Sequence, residues 1–199
     1  AQDLYLELST DENKRVAGTS FYRLGLIAQF DKDSLTLAKE YYDQAVSFIK
    51  SSDIGKDALM RSSDIGKLDT YAQKLVIDST TSQEAIDEAA FAQFQLSQLY
   101  WFNLDKPDTA ILEMEYLIDS FPTAYDVPNA KIALSQMVRD YYSDTTAADS
   151  ILQAILIEHP KSDKVPEVLE VLGLKGTEAD TGYAQKYVQK AEDFLVDNE

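Results

Sequence analysis

An internal repeat with an offset of 38 residues limits what this chain can fold into more than any other feature. The segment FPTAYDVPNA at 121–130 aligns with HPKSDKVPEV at 159–168, so that both prolines and the Val-Pro pair recur. Periods of this length are the signature of arrays built from one repeated supersecondary unit. A Leu followed by a small residue keeps the register, as does a later Ala: Leu24-Gly25, Leu96-Ser97, Leu134-Ser135 and Leu172-Gly173, then Ala38, Ala110 and Ala148.

Each repeat is predicted to hold two helices. Apolar residues recur at helical spacing, as in Ala110, Ile111, Met114 and Leu117, and small residues let neighbouring helices approach closely. All five prolines fall at predicted helix boundaries, where a missing N–H either ends a helix or does no harm at its start. The pattern predicts helices over 14–30, 34–50, 53–78, 83–103, 107–120, 127–142, 145–158, 166–173 and 179–197, with a partial helix within 1–13.

The stretch 51–78 interrupts the repeat. It contains SSDIGK twice, at 51–56 and 62–67, and an offset of 11 residues is three helical turns. Two interpretations remain open, one long helix or a degenerate pair. A local duplication in a connecting helix is the simpler explanation, and a dedicated docking helix is the alternative.

Composition restricts the class of partner. The 199 residues carry a formal net charge of −17 and contain no cysteine. Without a basic stripe the chain is not expected to bind nucleic acid; an acidic surface favours a basic or amphipathic partner. Cysteine chemistry is excluded. No apolar run approaches the ~18–20 residues that cross a bilayer, so we expect no transmembrane segment.

The Leu-small pair, the Ala about 12 residues later and the following Pro resemble the skeleton of the tetratricopeptide repeat. The stretch 99–110 and the turn at 121–130 are similar to repeats of bacterial cell-envelope proteins, including outer-membrane lipoproteins. The resemblance implies an all-α fold, a right-handed superhelix of antiparallel helix pairs over 1–199. The repeats would cover approximately 14–50, 51–80 (degenerate), 83–122, 127–160 and 165–197.

The resemblance also implies a function. Tetratricopeptide arrays bind a peptide or helix of a partner protein in a concave groove lined by the first helix of each pair, without catalysis. The carboxylate clamp of chaperone-binding members is missing, because Leu26, Gln98, Gln136 and Leu174 replace its Asn. Trp101, the only tryptophan, is either a groove anchor or packs between repeats. The groove candidates are Tyr22, Gln29, Phe94, Gln98, Trp101, Gln136 and Arg139.

Searches for chemistry give no catalytic, metal or cofactor site. His159 is the only histidine and takes the place of Phe121 in the repeat, so a structural role is expected. Asp31 and Asp33 begin like a calcium loop, but Thr36 and Tyr42 replace its Gly and Glu. The two Gly-Lys pairs lack the rest of a phosphate loop.

Two alternatives to a binding scaffold remain, a structural envelope component that assembles with itself and a helical enzyme with an unrecognised site. The resemblance implies a periplasmic or outer-membrane-associated protein, with any signal or lipid anchor upstream of Ala1. The lack of cysteine fits a cytoplasmic location as well.

Overall fold

The computed structural model describes residues 1–75 and 82–174, and every regular element within those ranges is helical. The all-α prediction is therefore confirmed for the described part of the chain. The α-helices are α1 (Gln2–Leu8), α2 (Lys14–Leu26), α3 (Leu35–Ile49), α4 (Asp53–Ala72), α5 (Gln83–Phe102), α6 (Pro107–Ser120), α7 (Val127–Tyr142), α8 (Thr145–Glu158) and α9 (Val165–Val171).

Two short segments extend these helices. A π-helical segment, Ile27–Asp31, continues α2, and a 3₁₀ turn, Gln73–Leu75, follows α4. The duplicated stretch is thus a single helix as far as Ala72, which decides between the two interpretations of 51–78 over the described residues. The predicted helix at 179–197 lies outside them. None of the helices described is both long and apolar enough to cross a membrane.

The helices pack against their neighbours in sequence, and the chain divides into two compact units. Unit 1 comprises Ala1–Gln73 together with Phe102–Asp105, and unit 2 comprises Lys74–Trp101 with the chain from Lys106 onward. In unit 1, α3 packs against both α2 and α4; in unit 2, α7 packs against both α6 and α8. Each unit has its own buried side chains.

Side-chain caps explain where several helices begin. The Asn13 side chain accepts from the Arg15 N–H at the start of α2. Ser52 accepts from Gly55 N–H at the start of α4, and Asp144 accepts from Ala147 N–H at the start of α8. These groups satisfy N–H donors that have no partner within the helix. Prolines occupy the first turn of α6, α7 and α9, as predicted from their fixed φ.

Small residues set the distance between paired helices in unit 1. A Cβ on Gly25 of α2 would lie 2.4 Å from Cε1 of Tyr42 on α3, and one on Gly18 would lie 2.8 Å from Ile49 side-chain carbons. Tyr42 itself is fully buried. The glycine of the Leu24-Gly25 pair therefore makes room for the aromatic ring of the second helix.

The equivalent position in unit 2 uses a hydroxyl. Ser97 is fully buried on α5, and its Oγ donates to the Ala110 carbonyl of α6 across 2.6 Å. Ser135 on α7 donates instead to Ile132 of its own helix, at 2.9 Å. The repeated alanines of the second helices, Ala38, Ala110 and Ala148, are each 0% exposed.

The turn within each pair repeats a left-handed residue. Asp33, Asp105 and Ser143 have φ of 53°, 55° and 56°, and their spacings of 72 and 38 residues match the offsets found in the sequence. In the first two turns the next amide bonds to the carbonyl six residues back, Ser34 to Ala28 at 2.8 Å and Lys106 to Tyr100 at 3.0 Å. This is the hydrogen bond of a Schellman-type helix end.

The turns between pairs in unit 2 share one backbone hydrogen-bond pattern. The amides of Phe121, Ala124 and Val127 bond to carbonyls four, three and three residues earlier, at 2.9, 2.9 and 3.2 Å. Those of His159, Ser162 and Val165 bond in the same way at the same three distances. The two segments that align in the sequence are thus alike in backbone structure.

The last Leu-small pair departs from the pattern. Helix α9 ends at Val171, two residues before the predicted end, and Leu172 is its C-cap. Gly173 adopts φ of 68° and its amide bonds to Glu170, a position at which glycine ends helices. Leu24, Leu96 and Leu134 are buried within their helices, whereas Leu172 is only half-buried.

Substituting Gly25 by Ala is expected to destabilise the protein by about 2–3 kcal/mol, because the new methyl would overlap the buried Tyr42 ring. Gly66→Ala is the matched control, since its Cβ would meet only Lys39 Cε at 3.7 Å. The control is expected to stabilise by about 0.5–1 kcal/mol through helix propensity. Urea unfolding of the two variants tests this, and a neutral Gly25→Ala would contradict the close approach.

His159→Phe is expected to stabilise the protein by about 0.5–1 kcal/mol and to weaken its pH dependence. Burial and the nearby Lys131 charge lower the pKa of His159 below 6.5, against an opposing effect of Glu158. Because the folded pKa is below the unfolded one, the unfolded state binds the proton first, and stability is lost as pH falls below about 6.5. Unfolding at pH 5.5 and 7.5 measures the change, and an unaltered pH dependence in the variant would count against it.

Candidate binding faces on the first helices

The first helices of unit 1 carry a cluster of tyrosine, aspartate and arginine, here called the Tyr22–Arg61 cluster. Tyr22 of α2 donates its hydroxyl to Asp57 Oδ2 on α4 at 2.6 Å. Arg61 Nε donates to the same oxygen at 2.7 Å, and its guanidinium carbon lies 5.9 Å from the centre of the Phe30 ring. The half-exposed Phe30 thus has a cation over its face, a favourable contact for an aromatic quadrupole.

The cluster keeps its charged groups charged. Burial alone would raise the pKa of Asp57, but the hydrogen bonds from Tyr22 and Arg61 and the Arg61 charge outweigh it and lower that pKa. Burial and the bond to Asp57 raise the pKa of Tyr22. Asp57 is therefore an anion and Tyr22 a neutral donor at physiological pH, so the cluster presents an ion pair rather than a general base.

Gln29, one of the predicted groove residues, is fully buried. Its Oε1 accepts from Tyr42 hydroxyl at 2.7 Å, and its Nε2 donates to the Leu104 carbonyl at 3.2 Å. It lies in the π-helical segment that ends α2, where the widened turn leaves the neighbouring Phe30 exposed. The side chain of Gln29 stabilises the helix pair, and it is not available on the surface to a partner.

The first-helix face of unit 2 is formed by α5 and α7. Trp101 and Phe94 are half-buried and pack against the core of unit 2, while Gln98 between them is half-exposed. The Trp101 ring meets the edge of Tyr141 on α7, with centroids 6.5 Å apart and planes at 81°. Neither of the two readings of Trp101 is complete, because the residue contacts the core and also reaches the surface.

A small cavity of about 130 Å³ lies beside this face, between α7, α8 and α9. Gln136 and Arg139, both predicted groove residues, line it together with apolar side chains from α8 and α9. Gln136 is exposed, and Arg139 is held by Asp149 Oδ1 at 2.7 Å. The remaining lining residues are Ile132, Ser135, Asp140, Leu152, Glu167, Val168 and Val171.

Sequence reasoning missed three groups that belong to these faces. Asp57 and Arg61 stand four residues apart on α4, a spacing that indicates an ion pair on a helix and could have been read from the sequence. Tyr141 and Tyr142 meet Asp108 only in the folded structure, and no spacing in the sequence joins them.

Other features of the described residues do not suggest chemistry. No group of three or more His, Asp or Glu side chains placed to hold a metal ion occurs within 1–75 and 82–174. A larger surface cavity, about 820 Å³, lies between the two repeat turns of unit 2 and is lined by both. His159 lines it beside Lys161 and Lys164, and the ion pair of Lys131 with Glu158 lies next to it.

Comparison of the chain with protein-family models, curated proteins and solved structures found no match in any of the three. The resemblance to the tetratricopeptide repeat therefore rests on the residues described above. The helix pairs, the repeated turns and the small residues between helices are properties of this structure in their own right. Membership of the family stays a prediction.

Tyr42→Phe is expected to lower the free energy of unfolding by about 1–2 kcal/mol, because it removes a fully buried hydrogen bond to Gln29. Tyr41→Phe is the matched control on the adjacent position, since that ring packs against Phe21 instead, with centroids 6.3 Å apart. Thermal and urea unfolding of both variants measure the difference. Equal stability of the two variants would show that the bond between α3 and the end of α2 contributes little.

Proposed function

We propose that this protein is a non-catalytic scaffold that binds a peptide or helix of a partner protein along the first-helix face of unit 2. The observation that carries the proposal is the half-exposed state of Trp101 and Gln98 on α5 beside the exposed Gln136 on α7. These aromatic and amide side chains lie on consecutive first helices whose opposite sides are held by the core. A right-handed superhelix that continues this face into a concave groove is part of the proposal.

The side chains on this face suit recognition of a peptide. A tryptophan held on one side by the core offers a large apolar surface with little entropy to lose, which is why tryptophan is enriched among binding hot spots. Amides such as Gln98 and Gln136 can donate to and accept from a peptide backbone. The cavity of about 130 Å³ beside Gln136 is near the size, about 150 Å³, that accepts a benzene molecule in another protein, so one apolar side chain fits it.

Charge defines the partner further. The net charge of −17 favours fast association with a basic partner and disfavours acidic ones. We propose a basic or amphipathic segment as the ligand. The resemblance to outer-membrane lipoproteins is what supports a bacterial envelope assembly as its setting.

Peptides selected from a displayed random library are expected to bind this face and to change the fluorescence of Trp101, the only tryptophan. Trp101→Ala is expected to weaken binding of a labelled peptide at least tenfold, the loss typical of a hot-spot residue. Fluorescence anisotropy of the labelled peptide measures the affinity of each variant.

Gln136→Ala is the second variant, because an exposed residue can be changed without unfolding the chain, and we expect it to weaken binding about threefold to tenfold. Lys161→Ala, at the repeat turn, is the control and should bind as the parent does. Selected peptides that bind all three variants equally would overturn the proposed face. Circular dichroism separates a binding defect from unfolding in Trp101→Ala, and unfolding there would make Trp101 a core residue.

A further inference from the structure

Three aromatic rings and a carboxylate meet where α5, α6 and α7 come together in unit 2. These residues are Trp101, Asp108, Tyr141 and Tyr142, and we call them the aromatic cage. Trp101 and Tyr141 are nearly perpendicular, and the centroids of Tyr141 and Tyr142 are 4.9 Å apart with planes at 59°. Tyr141 is 43% and Tyr142 54% exposed, so a ligand can reach both tyrosines.

Asp108 fixes the two tyrosines in place. Its Oδ2 accepts from the Tyr141 hydroxyl at 2.9 Å, and its Oδ1 accepts from the Tyr142 hydroxyl at 3.0 Å. The hydrogen bond to Asp108 is the main reason that the pKa of each tyrosine is raised. Both phenols therefore remain neutral donors, and the carboxylate orients the two rings through the two bonds.

The local field at the cage is negative. Tyr142 is the last residue of α7, a helix of 16 residues, and the C-terminal end of a helix carries partial negative charge. Asp140 and Asp144 are exposed on either side of the two tyrosines in the sequence. Together with Asp108 they favour a cation over an anion or a neutral group at this place.

The basic residues nearest in the chain are Lys106 and Arg139. Arg139 lies two residues before Tyr141, but its guanidinium is directed to Asp149 on α8, with Nη2 to Oδ1 at 2.7 Å. Lys106 is half-buried at the N-cap of α6. The ring contacts of the cage are with other aromatic rings.

We propose that the aromatic cage is a subsite for a cationic side chain, lysine or arginine, of the bound partner. The proposal rests on the proposed function in one respect, namely that the cation belongs to a peptide held along the first-helix face. Aromatic faces attract ammonium and guanidinium groups through the ring quadrupole, and quaternary ammonium ligands are recognised by cages of such rings. A neutral apolar side chain would gain nothing from the surrounding carboxylates.

The single tryptophan gives a direct assay on the full chain. Its indole N–H is the only one of its kind, so one nuclear magnetic resonance signal reports the cage. Titration with Nα-acetyl-arginine amide and Nα-acetyl-lysine amide is expected to shift this signal saturably in the millimolar range. The neutral isostere Nα-acetyl-citrulline amide is the matched probe, and an equal shift from it would overturn the cationic assignment.

Variants locate the effect. Tyr142→Leu is expected to weaken binding of the arginine amide about twofold to fivefold, the range for one exposed cation–π contact. Asp108→Asn is expected to weaken it by a similar factor and to make it less sensitive to salt. Tyr125→Leu is the control, because Tyr125 is 78% exposed on a turn outside the cage. Equal effects of Tyr125→Leu and Tyr142→Leu would contradict the proposal.

The same measurements separate the cage from the proposed function. Library peptides that bind the face while the arginine amide leaves the indole signal unchanged would reject the cage and keep the scaffold. An arginine amide that binds, with no peptide selected by the face, would reject the scaffold and keep the cation site. A lysine or arginine at one fixed position of the selected peptides, with affinity that falls in Tyr142→Leu, supports both.

Discussion

The contact between a small residue on one helix and the facing second helix determines how the rest of this structure packs. In α2 the absence of a side chain on Gly25 leaves space for the whole Tyr42 ring. In α5 the Ser97 hydroxyl reaches the Ala110 carbonyl. Both contacts bring the two helices close enough to exclude water from the alanines between them, and dense packing of this kind is sensitive to a single methyl group.

Close packing on one side of each first helix determines what the other side can do. On α7, Leu134, Met137 and Val138 are buried in the core of unit 2, so the helix cannot rotate about its axis without exposing them. Gln136, which lies between them in sequence, is then directed to the surface. A face whose backbone is fixed by the core loses little conformational entropy when it binds, which is the main benefit of preorganisation.

The helices of this chain could be predicted from its sequence because their signals are local. Prolines, small residues and apolar spacing placed the helix boundaries of α3, α6, α7 and α8 within a residue or two of those observed. The misses have physical causes. The π-helical segment at the end of α2 turns Gln29 inward to Tyr42 and Leu104, and regular helical spacing carries no sign of that widened turn. At Leu172, the glycine that follows ends the helix instead of packing within it.

The candidate site was less predictable than the fold, since it depends on contacts between distant residues. Trp101 was identified because it is the only tryptophan, but the pairing of Tyr141 and Tyr142 with Asp108 joins positions more than 30 residues apart. Their geometry follows from the packing of α7 against α6, which carries Asp108 in its first turn. A carboxylate is favoured at that end of a helix by the helix dipole, so the same residue that suits the start of α6 also orients both rings. The cage is therefore a consequence of how the repeat packs, and one substitution at Asp108 would disturb the rings while leaving the helix pairs in place.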